Sequence, residues 1–465
     1  MSAPQVLRGA APDAVTVHVP IAIIGAGACG LTAALRLADA GIETVLIERD
    51  AAPSGSTALS SGFIPAAGSA AQHAAGIEDD ALRFVADIQA KAGGAAAEHL
   101  VAAYAGASAA ALDNLARHGL TFEVLDGFLY PGHTARRMHT LPERTGAALV
   151  AALERAATQA GAYLLTRALA RQIWTDEDGR VTAVGCERPD GSIDVIGCDV
   201  LLLACNGFGG NAAMVAQHLP AMREAVYGGH VGNDGSAIEW GAQLGARLAD
   251  MGGYQGHGSW ATPQGALISW AVMMDGGVQI NREGRRFHDE THGYSEAAVH
   301  VLAQPGGVAW NVFDDRTLAL ARGFPDFVQA EAGQALKTCA DSAALAALIG
   351  CDAGVLRQTL ADAAPGISDA HGRRFERALL APYHAVKVTG ALFHTQGGLD
   401  IDAHCRVLDQ AGRALPNLLA AGGAARGVSG NEVSGYLSGN GLLSAVAGGH
   451  IAAATAASLL GREFS

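Results

Sequence analysis

At 465 residues the chain is too long for one compact core and suits two or three packed units, one of which can be inserted in another. Half of the residues are hydrophobic, 16% are charged and 61 are glycine, the profile of a tightly packed α/β protein rather than a disordered one. The net charge of −14, with lysine only at Lys91, Lys337 and Lys387, excludes a surface built to attract nucleic-acid phosphates or anionic lipid.

Residues 1 to 19 lack the basic start, apolar run and cleavage site of a signal peptide. From Ile21 a short β-rich run reaches Gly25, the chain turns through Gly25, Ala26, Gly27, Cys29 and Gly30, and an Ala/Leu helix continues to about Ala40. A second strand then ends at Glu48 and Arg49, which puts the acid eighteen residues beyond Gly30. Each part has a task. Gly25 permits the tight turn, Gly27 lets the backbone approach a pyrophosphate, and Gly30 lets the helix pack on the strand. The helix N-terminus attracts the phosphate charge, and Glu48 can accept hydrogen bonds from ribose hydroxyls. This fingerprint predicts a dinucleotide site and does not by itself separate FAD from NAD.

The next segment, Ser54 to Pro65, is small and hydroxyl-rich. Ser56, Thr57, Ser60, Ser61 and Gly62 can lie along a ribityl-pyrophosphate chain. Tyr130 and Pro131 follow in a glycine-flanked loop. Val200 to Asn211 reads as an apolar strand running into Asn206 and Gly207, and Gly232 to Gly241 as a helix start carrying Asp234. Helical Ala/Leu patterns cover Asp341 to Leu348 and Ala353 to Ala364. Leu418 to Gly423 reads as a strand entering a turn at Gly422 and Gly423. Gly435 to Val446, with Ser438, Asn440, Leu442 and Leu443, opens a helix whose N-terminus can face a flavin ring and stabilise negative charge on its reduced form. The most membrane-like stretch, Gly441 to Leu460, is largely Gly and Ala and is interrupted by His450, so a buried helix is expected rather than a membrane span. The seven cysteines, Cys29, Cys186, Cys198, Cys205, Cys339, Cys351 and Cys405, form no C-x-x-C pair and no haem-attachment pattern. That argues against a metal site and predicts reduced, mostly buried thiols in the cytoplasm.

Together these segments resemble the flavoprotein superfamily of fumarate reductases, succinate dehydrogenases and ketosteroid 1-dehydrogenases, from about Val19 to Ala457. The series is colinear. Val200 to Asn211 is similar to the family's strand followed by A-T-G-G-F, and Gly232 to Gly241 to its G-D-G helix start. Gly276 to Glu290 is similar to G-G-I-x-V-N-x-x-G-x-R-F-x-x-E, and His394 to Ile401 to H-T-M-G-G. The resemblance implies FAD held by a discontinuous Rossmann-like α/β domain, residues 1–223 and 373–465, with a parallel sheet in three-layer packing. It also implies an inserted α+β cap at 224–372, with catalysis where cap and flavin meet.

Departures from the family bear on the reaction. Fumarate reductases deliver a proton from an Arg after the R-F-x-x-E segment and grip a substrate carboxylate with another in N-R-L-G-G-N; here the two positions are Tyr294 and Tyr436. This pair resembles the ketosteroid dehydrogenase branch, where one tyrosine removes a proton beside a ketone and another, with a backbone N–H, holds the ketone oxygen. The resemblance implies Tyr294 as base, Tyr436 with an N–H near Gly439 to Gly441 as the ketone grip, and Tyr130 as an assistant to the base. His257 and His394 match family histidines that hold the carboxylate of fumarate-like substrates, although each also reads as a core histidine bonded to backbone. A ring bearing a ketone and a carboxylate, such as an oxocyclohexane carboxylate, would use both groups; a steroid would use the ketone site alone. Gly423 stands where the family often has the acid of A-A-G-E on the ribityl chain, so that contact is lost or replaced. Ser56 stands near the histidine that carries covalent flavin in succinate dehydrogenases, so the FAD is expected to be non-covalent.

Desaturation removes a proton from one carbon and a hydride from its neighbour, and a carbonyl makes the first step accessible to a phenol of pKa about 10. The leading expectation is an FAD-dependent dehydrogenase forming a C=C bond beside a ketone in a cyclic substrate. The alternatives are a fumarate reductase-like reductase of activated alkenes and a flavin-bearing sensor or partner protein without turnover. With no haem, iron–sulfur or NAD segment, the electron acceptor is expected to be external: oxygen, a quinone, free flavin or another protein.

Overall fold

The computed structural model describes residues 3–9, 15–126 and 129–464, so Gly127 and Phe128 of the Tyr130 loop lie outside the described residues. Ile21, Ala22, Ile23 and Ile24 are all buried, the continuous apolar run expected of a parallel strand covered on both faces. They belong to β1 (Val15–Ile24), which is followed by α1 (Ala28–Asp39) and β2 (Thr44–Ile47). β1 pairs in parallel with β2 and with β3 (Ile193–Leu203), and β3 pairs in parallel with β4 (Ala414–Ala420). Ile24 faces Ile47 on one side and Leu203 on the other, and Leu203 faces Ala420. The four strands therefore end together, and the segments beginning at Gly25, Glu48, Ala204 and Ala421 emerge along one edge. In open parallel sheets this carboxyl edge is where ligands bind.

Among the described residues the sheet has nine strands, completed by Gln5–Arg8, Tyr163–Leu165, Leu169–Thr175, Val181–Glu187 and Arg406–Leu408. α1 packs on α2 (Gly146–Gln159) and on α3 (Asn440–Leu459). The α1–α3 approach is close because Gly449 has no side chain; a Cβ there would overlap the Cys29 carbonyl. α3 is the one single helix among the described residues long and apolar enough to cross a membrane, but 61% of that stretch is buried in the protein, as in a core helix.

The chain divides into two compact units. The first comprises Met1–Leu219, Gly229–Tyr254 and His394–Ser465, and the second Pro220–Gly228 and Gln255–Phe393. The second unit is α+β. Its sheet runs through Ala266–Leu267, Tyr254–Ala261, Tyr383–Thr395, Val308–Phe313 and Val278–Ile280. The helix Tyr294–Leu302 lies so close to the sheet that a Cβ at Gly258 would sit 2.6 Å from the Ala297 Cβ, and one at Gly390 would sit 2.6 Å from the Ala298 carbonyl.

These limits differ from the expected cap at 224–372 in two places. Residues 229–254 belong to the first unit, because Leu248–Ala249 pairs with Gly398–Leu399 and Asp234 bonds Arg171. Residues 373–393 belong to the second, because Tyr383–Thr395 is a long strand hydrogen-bonded to Val308–Phe313 and to Leu336–Cys339.

Candidate active site

The three loop glycines sit in different surroundings. At Gly25, φ is +106° and a Cβ would lie 2.5 Å from the Ala204 carbonyl, so both the turn and the neighbouring strand require glycine. A Cβ at Gly30 would overlap the Gly25 carbonyl and lie 3.2 Å from the Ile23 side chain, which fits close packing of α1 against the strand end. Gly27 differs. Its φ of −78° suits any residue, and a Cβ would meet nothing nearer than Thr57 Oγ1 at 3.5 Å. Among the described residues nothing demands glycine there; a ligand against the loop would. Gly27 is also the N-cap of α1, which has no side-chain cap and no acid in its first turn. The Glu48 carboxylate accepts from Ala26 N at 3.0 Å and from Asp50 N at 2.9 Å, holding the loop to the end of β2. Burial raises the Glu48 pKa, and these two N–H bonds oppose the rise.

The hydroxyl-rich segment folds back on this loop. Thr57 Oγ1 accepts from Ala28 N at 3.2 Å, and Ser56 Oγ accepts from Asn233 Nδ2 at 2.8 Å. Ser60 donates to the Thr57 carbonyl at 2.7 Å and accepts from Gly62 N at 3.1 Å, and Ser61 lies between them, half-buried. Arg49 donates to the Gly232 carbonyl at 2.9 Å. Asp234 accepts from Ser236 N and Oγ at the start of the following helix and pairs with Arg171 at 3.2 Å. At the end of β3, Asn206 has a φ of +67° and accepts from Gly207 N through Oδ1. That same oxygen fills the space a Cβ on Gly423 would occupy. The missing acid at Gly423 is therefore matched by a side chain reaching in from another strand. Gly422 is also left-handed, at φ +61°, beside the Cys29 side chain. All seven cysteines are free thiols, and burial pushes the pKa values of Cys186, Cys198, Cys205 and Cys405 up to about 12.

The start of α3 gathers a second group. Gly439 is its N-cap at φ +87°, packed where a Cβ would lie 2.8 Å from the Pro65 ring. His394 lies against Gly441, its Nε2 in the space a Cβ would take, and its ring meets Tyr436 edge-on at 5.7 Å. Leu442 is half-buried, whereas Leu443 is buried in the core. The Tyr130 loop reaches the same turn. His133 bonds the Ser438 carbonyl at 2.9 Å, a Cβ at Gly132 would lie 2.7 Å from Leu437, and Tyr130 packs its ring near Phe63 at 6.5 Å. Burial lowers the His394 pKa to about 4, which makes the ring neutral near pH 7.

In the second unit His257 stacks on Tyr294, with ring centroids 4.8 Å apart, and on Phe393 at 5.6 Å, while Trp270 stands edge-on to both His257 and Tyr294. Burial lowers the His257 pKa to about 3. Ser259 N donates to its Nδ1 at 3.1 Å, so the neutral ring carries its proton on Nε2 and offers a donor there. Trp270 is itself held by the Glu290 carbonyl at 3.0 Å. The Glu290 side chain is clamped by Arg286 at 2.6 Å and Arg373 at 2.8 Å. Burial alone would raise this carboxyl, but the two guanidiniums hold it down at about 2. The R-F-x-x-E segment is thus the clamp that fixes the aromatic wall.

A family profile described as "FAD binding domain" matches residues 21–442. The chain belongs to this family of FAD-binding flavoproteins. It is similar to the probable fumarate reductase Ifc3 of Shewanella frigidimarina (strain NCIMB 400), 27% identical over 460 residues, which span 94% of this chain and 74% of that one. It is also similar to the 4-oxocyclohex-2-ene-1-carboxylate 5-dehydrogenase of Sinomonas cyclohexanicum, 25% identical over 354 residues, 65% of this chain and 58% of that one. It shares its fold with the crystal structure of 3-ketosteroid-Δ4-(5α)-dehydrogenase from Rhodococcus jostii RHA1 in complex with 4-androstene-3,17-dione. The TM-score is 0.74 at 23% identity, covering 95% of this chain and 97% of that one.

The loop fits FAD. Gly27 leaves open the face that a pyrophosphate needs, α1 lacks a side-chain cap, and Thr57, Ser56 and Asn206 stand around the same strand ends. Trp270, Phe393 and Arg373 escaped the sequence reading, since single aromatic and charged residues at scattered positions carry no spacing signal, and Glu290 enters it only as part of the R-F-x-x-E motif, without its role as the centre of the clamp. Gln396 and Ser429, which bond beside His394, escaped it too.

Proposed function

We propose that this FAD-dependent oxidoreductase, which acts on CH–CH groups, introduces a C=C bond beside a ketone in a cyclic substrate that also carries a carboxylate, the class of an oxocyclohexane carboxylate. The observation that carries this reading is the pair Tyr294 and Tyr436, standing where fumarate reductases place arginines, with Tyr294 stacked on a neutral His257 in an aromatic wall. The similarity to a 4-oxocyclohex-2-ene-1-carboxylate dehydrogenase supports the same substrate class.

The Tyr294 phenolate oxygen takes the proton from the carbon next to the ketone. FAD, which the Gly25–Gly30 loop and the start of α3 would hold, would supply the acceptor for the hydride of the neighbouring carbon, with an external acceptor taking the electrons on. Tyr294 is the first residue of its helix, where a negative charge gains about 0.3–1 kcal/mol. An ordinary phenol has a pKa of about 10, so Tyr294 needs acidification of the C–H itself to serve as the base near neutral pH. Tyr436 and an N–H between Gly439 and Gly441 supply it by holding the developing enolate oxygen, with Tyr130 assisting the base. His257 and His394, both neutral, hold the carboxylate as N–H donors. Gly27, Glu48, Ser56, Thr57, Asn206 and the start of α3 hold the cofactor without a covalent bond.

Anaerobic bleaching of the flavin by cyclic keto acids, faster than by simple cyclic ketones, is the expected result, and Tyr294→Phe should abolish it while FAD stays bound. If fumarate or enones reoxidise the reduced flavin while keto acids never bleach it, the enzyme is instead an alkene reductase like its fumarate-reducing relatives. If neither occurs, it is a flavin-binding protein without turnover.

A further inference from the structure

His394 is held by a chain of buried polar side chains that the reaction proposed above does not use. Asn440, the first residue of α3, donates through Nδ2 to Ser429 Oγ at 3.0 Å. Ser429 Oγ in turn lies 2.8 Å from Gln396 Oε1, and Gln396 Nε2 lies 3.2 Å from His394 Nδ1. Gln396, Ser429 and Asn440 are all buried. The superfamily segment that resembles His394–Gly398 carries Met at the position of Gln396, so the chain of bonds is a departure of this protein.

We propose that Gln396, Ser429 and Asn440 form a relay that sets the tautomer of His394, fixing its proton on Nε2 and directing that N–H at the start of α3. A hydroxyl has one hydrogen, so Ser429, having accepted from Asn440, must donate to Gln396 Oε1. That turns the Gln396 NH2 towards the ring. An amide nitrogen can only donate, so Nδ1 is the acceptor and the neutral imidazole carries its hydrogen on Nε2, the atom that lies against Gly441. One contact pulls the other way: the Thr395 carbonyl lies 3.1 Å from the same Nδ1 and favours a proton there. The decision falls at the far end of the relay. Reversing every bond would turn Asn440 over and put its NH2 where its Oδ1 now finds no hydrogen-bond partner. Among the described residues the present orientation leaves one Asn440 N–H and its carbonyl oxygen without a partner, whereas the reversed one would leave both N–H groups so, and an orphaned buried N–H is rarer in folded proteins than an under-satisfied carbonyl. The orientation set at Asn440 therefore passes through Ser429 and Gln396 to the ring.

This deepens the reading of His394 as a substrate grip and rests on it for its consequence: the site takes a ligand whose group there is an acceptor only, a carboxylate or ketone oxygen, and rejects an ammonium. Gln396 is a positioning residue, and its effect is visible without substrate. In the FAD-loaded protein labelled with 15N-histidine, a two-bond 1H–15N spectrum, assigned by the signal lost in His394→Gln, should show Nε2 protonated and Nδ1 bare. In the isosteric Gln396→Glu the carboxylate can only accept, so Nδ1 should become protonated; Ser429→Ala should give a mixture of the two tautomers. A protonated Nδ1 in the wild type overturns the relay, whether or not the variants fold, and so does a Gln396→Glu spectrum like the wild type. The grip is read separately: KM for a cyclic keto acid should rise about 10- to 100-fold in Gln396→Glu, where the tautomer reverses and one hydrogen bond to a charged group is lost, and only in proportion to the lost Nε2–H fraction in Ser429→Ala. A tautomer that answers while KM stays fixed supports the relay and refutes the role of His394 in binding.

Discussion

Replacing Gly27 and Gly30 separately by alanine tests whether the loop was shaped by its own packing or by a ligand. At Gly30 the added methyl overlaps the Gly25 carbonyl and comes within 3.2 Å of Ile23, so the backbone has to shift. Overpacking of this kind costs about 1–3 kcal/mol, and 1 kcal/mol moves the melting temperature by about 2–4 °C in domains of 150–250 residues. At Gly27 the methyl meets only Thr57 Oγ1 at 3.5 Å, on a backbone with φ −78° that alanine adopts freely. The unfolded chain then loses freedom, a gain of about 0.4–1 kcal/mol, while alanine caps a helix less well than glycine, so the two offset to within about 0.5 kcal/mol. FAD binding answers differently. The Gly27 methyl stands where the pyrophosphate must approach, and losing one charge-assisted hydrogen bond there costs about 1.5–3 kcal/mol, about 10- to 100-fold in Kd. The assays are thermal unfolding of the apoprotein and titration with FAD followed by flavin fluorescence. Gly27→Ala should melt like the wild-type apoprotein yet bind FAD weakly, whereas Gly30→Ala should melt early even without cofactor. A Gly27→Ala protein that binds FAD normally, or that melts as early as Gly30→Ala, refutes the assignment of the open face.

Tyr436→Phe should lower the rate of flavin bleaching by keto acids about 100- to 1000-fold, the usual effect of removing one donor from a developing oxyanion, with FAD affinity unchanged. Gly423→Glu should weaken FAD binding and stability together, because its Cβ meets Asn206 Oδ1; adding Asn206→Gly should restore much of both, and a double-mutant cycle without coupling would count against this steric pairing. Acid denaturation should release the yellow colour into the supernatant, and colour retained by the polypeptide would reveal a covalent flavin. Stability should fall on acidification in two stages. His257 is held at about 3 against 6.5 when unfolded, so its neutral form favours folding above pH 6.5 and that advantage is lost downward from there, by at most about 1.4 kcal/mol per pH unit. Glu290, held at about 2 against 4.5, adds its loss only below pH 4.5. Urea unfolding of His257→Phe at pH 7 and pH 5 should show a shallower decline than the wild type; equal declines would mean that His257 is charged in the folded protein.

What was legible in the sequence is what depends on near neighbours. Gly25, Gly27, Gly30 and Glu48 lie within one strand–turn–helix–strand unit, so their spacing states their geometry, and the sheet register then places them at one edge. The unit limits were less legible, since Tyr383–Thr395 joins the second unit through strand pairing with Val308–Phe313, a long-range choice that local apolar pattern does not encode. Least legible were groupings assembled from distant segments. Asn206 and Gly423 are 217 positions apart, yet one occupies the space left by the other, so reading Gly423 alone could say only that a contact was lost or replaced. The histidines carry the same lesson for chemistry. Their residue type cannot say whether they are charged, or which nitrogen holds the proton. His257 becomes an Nε2–H donor because Ser259 N points at Nδ1, and His394 does so through residues as far away as Asn440. A histidine's place in a motif thus names a candidate ligand contact, but its burial and its second hydrogen bond determine whether it can hold a carboxylate at neutral pH.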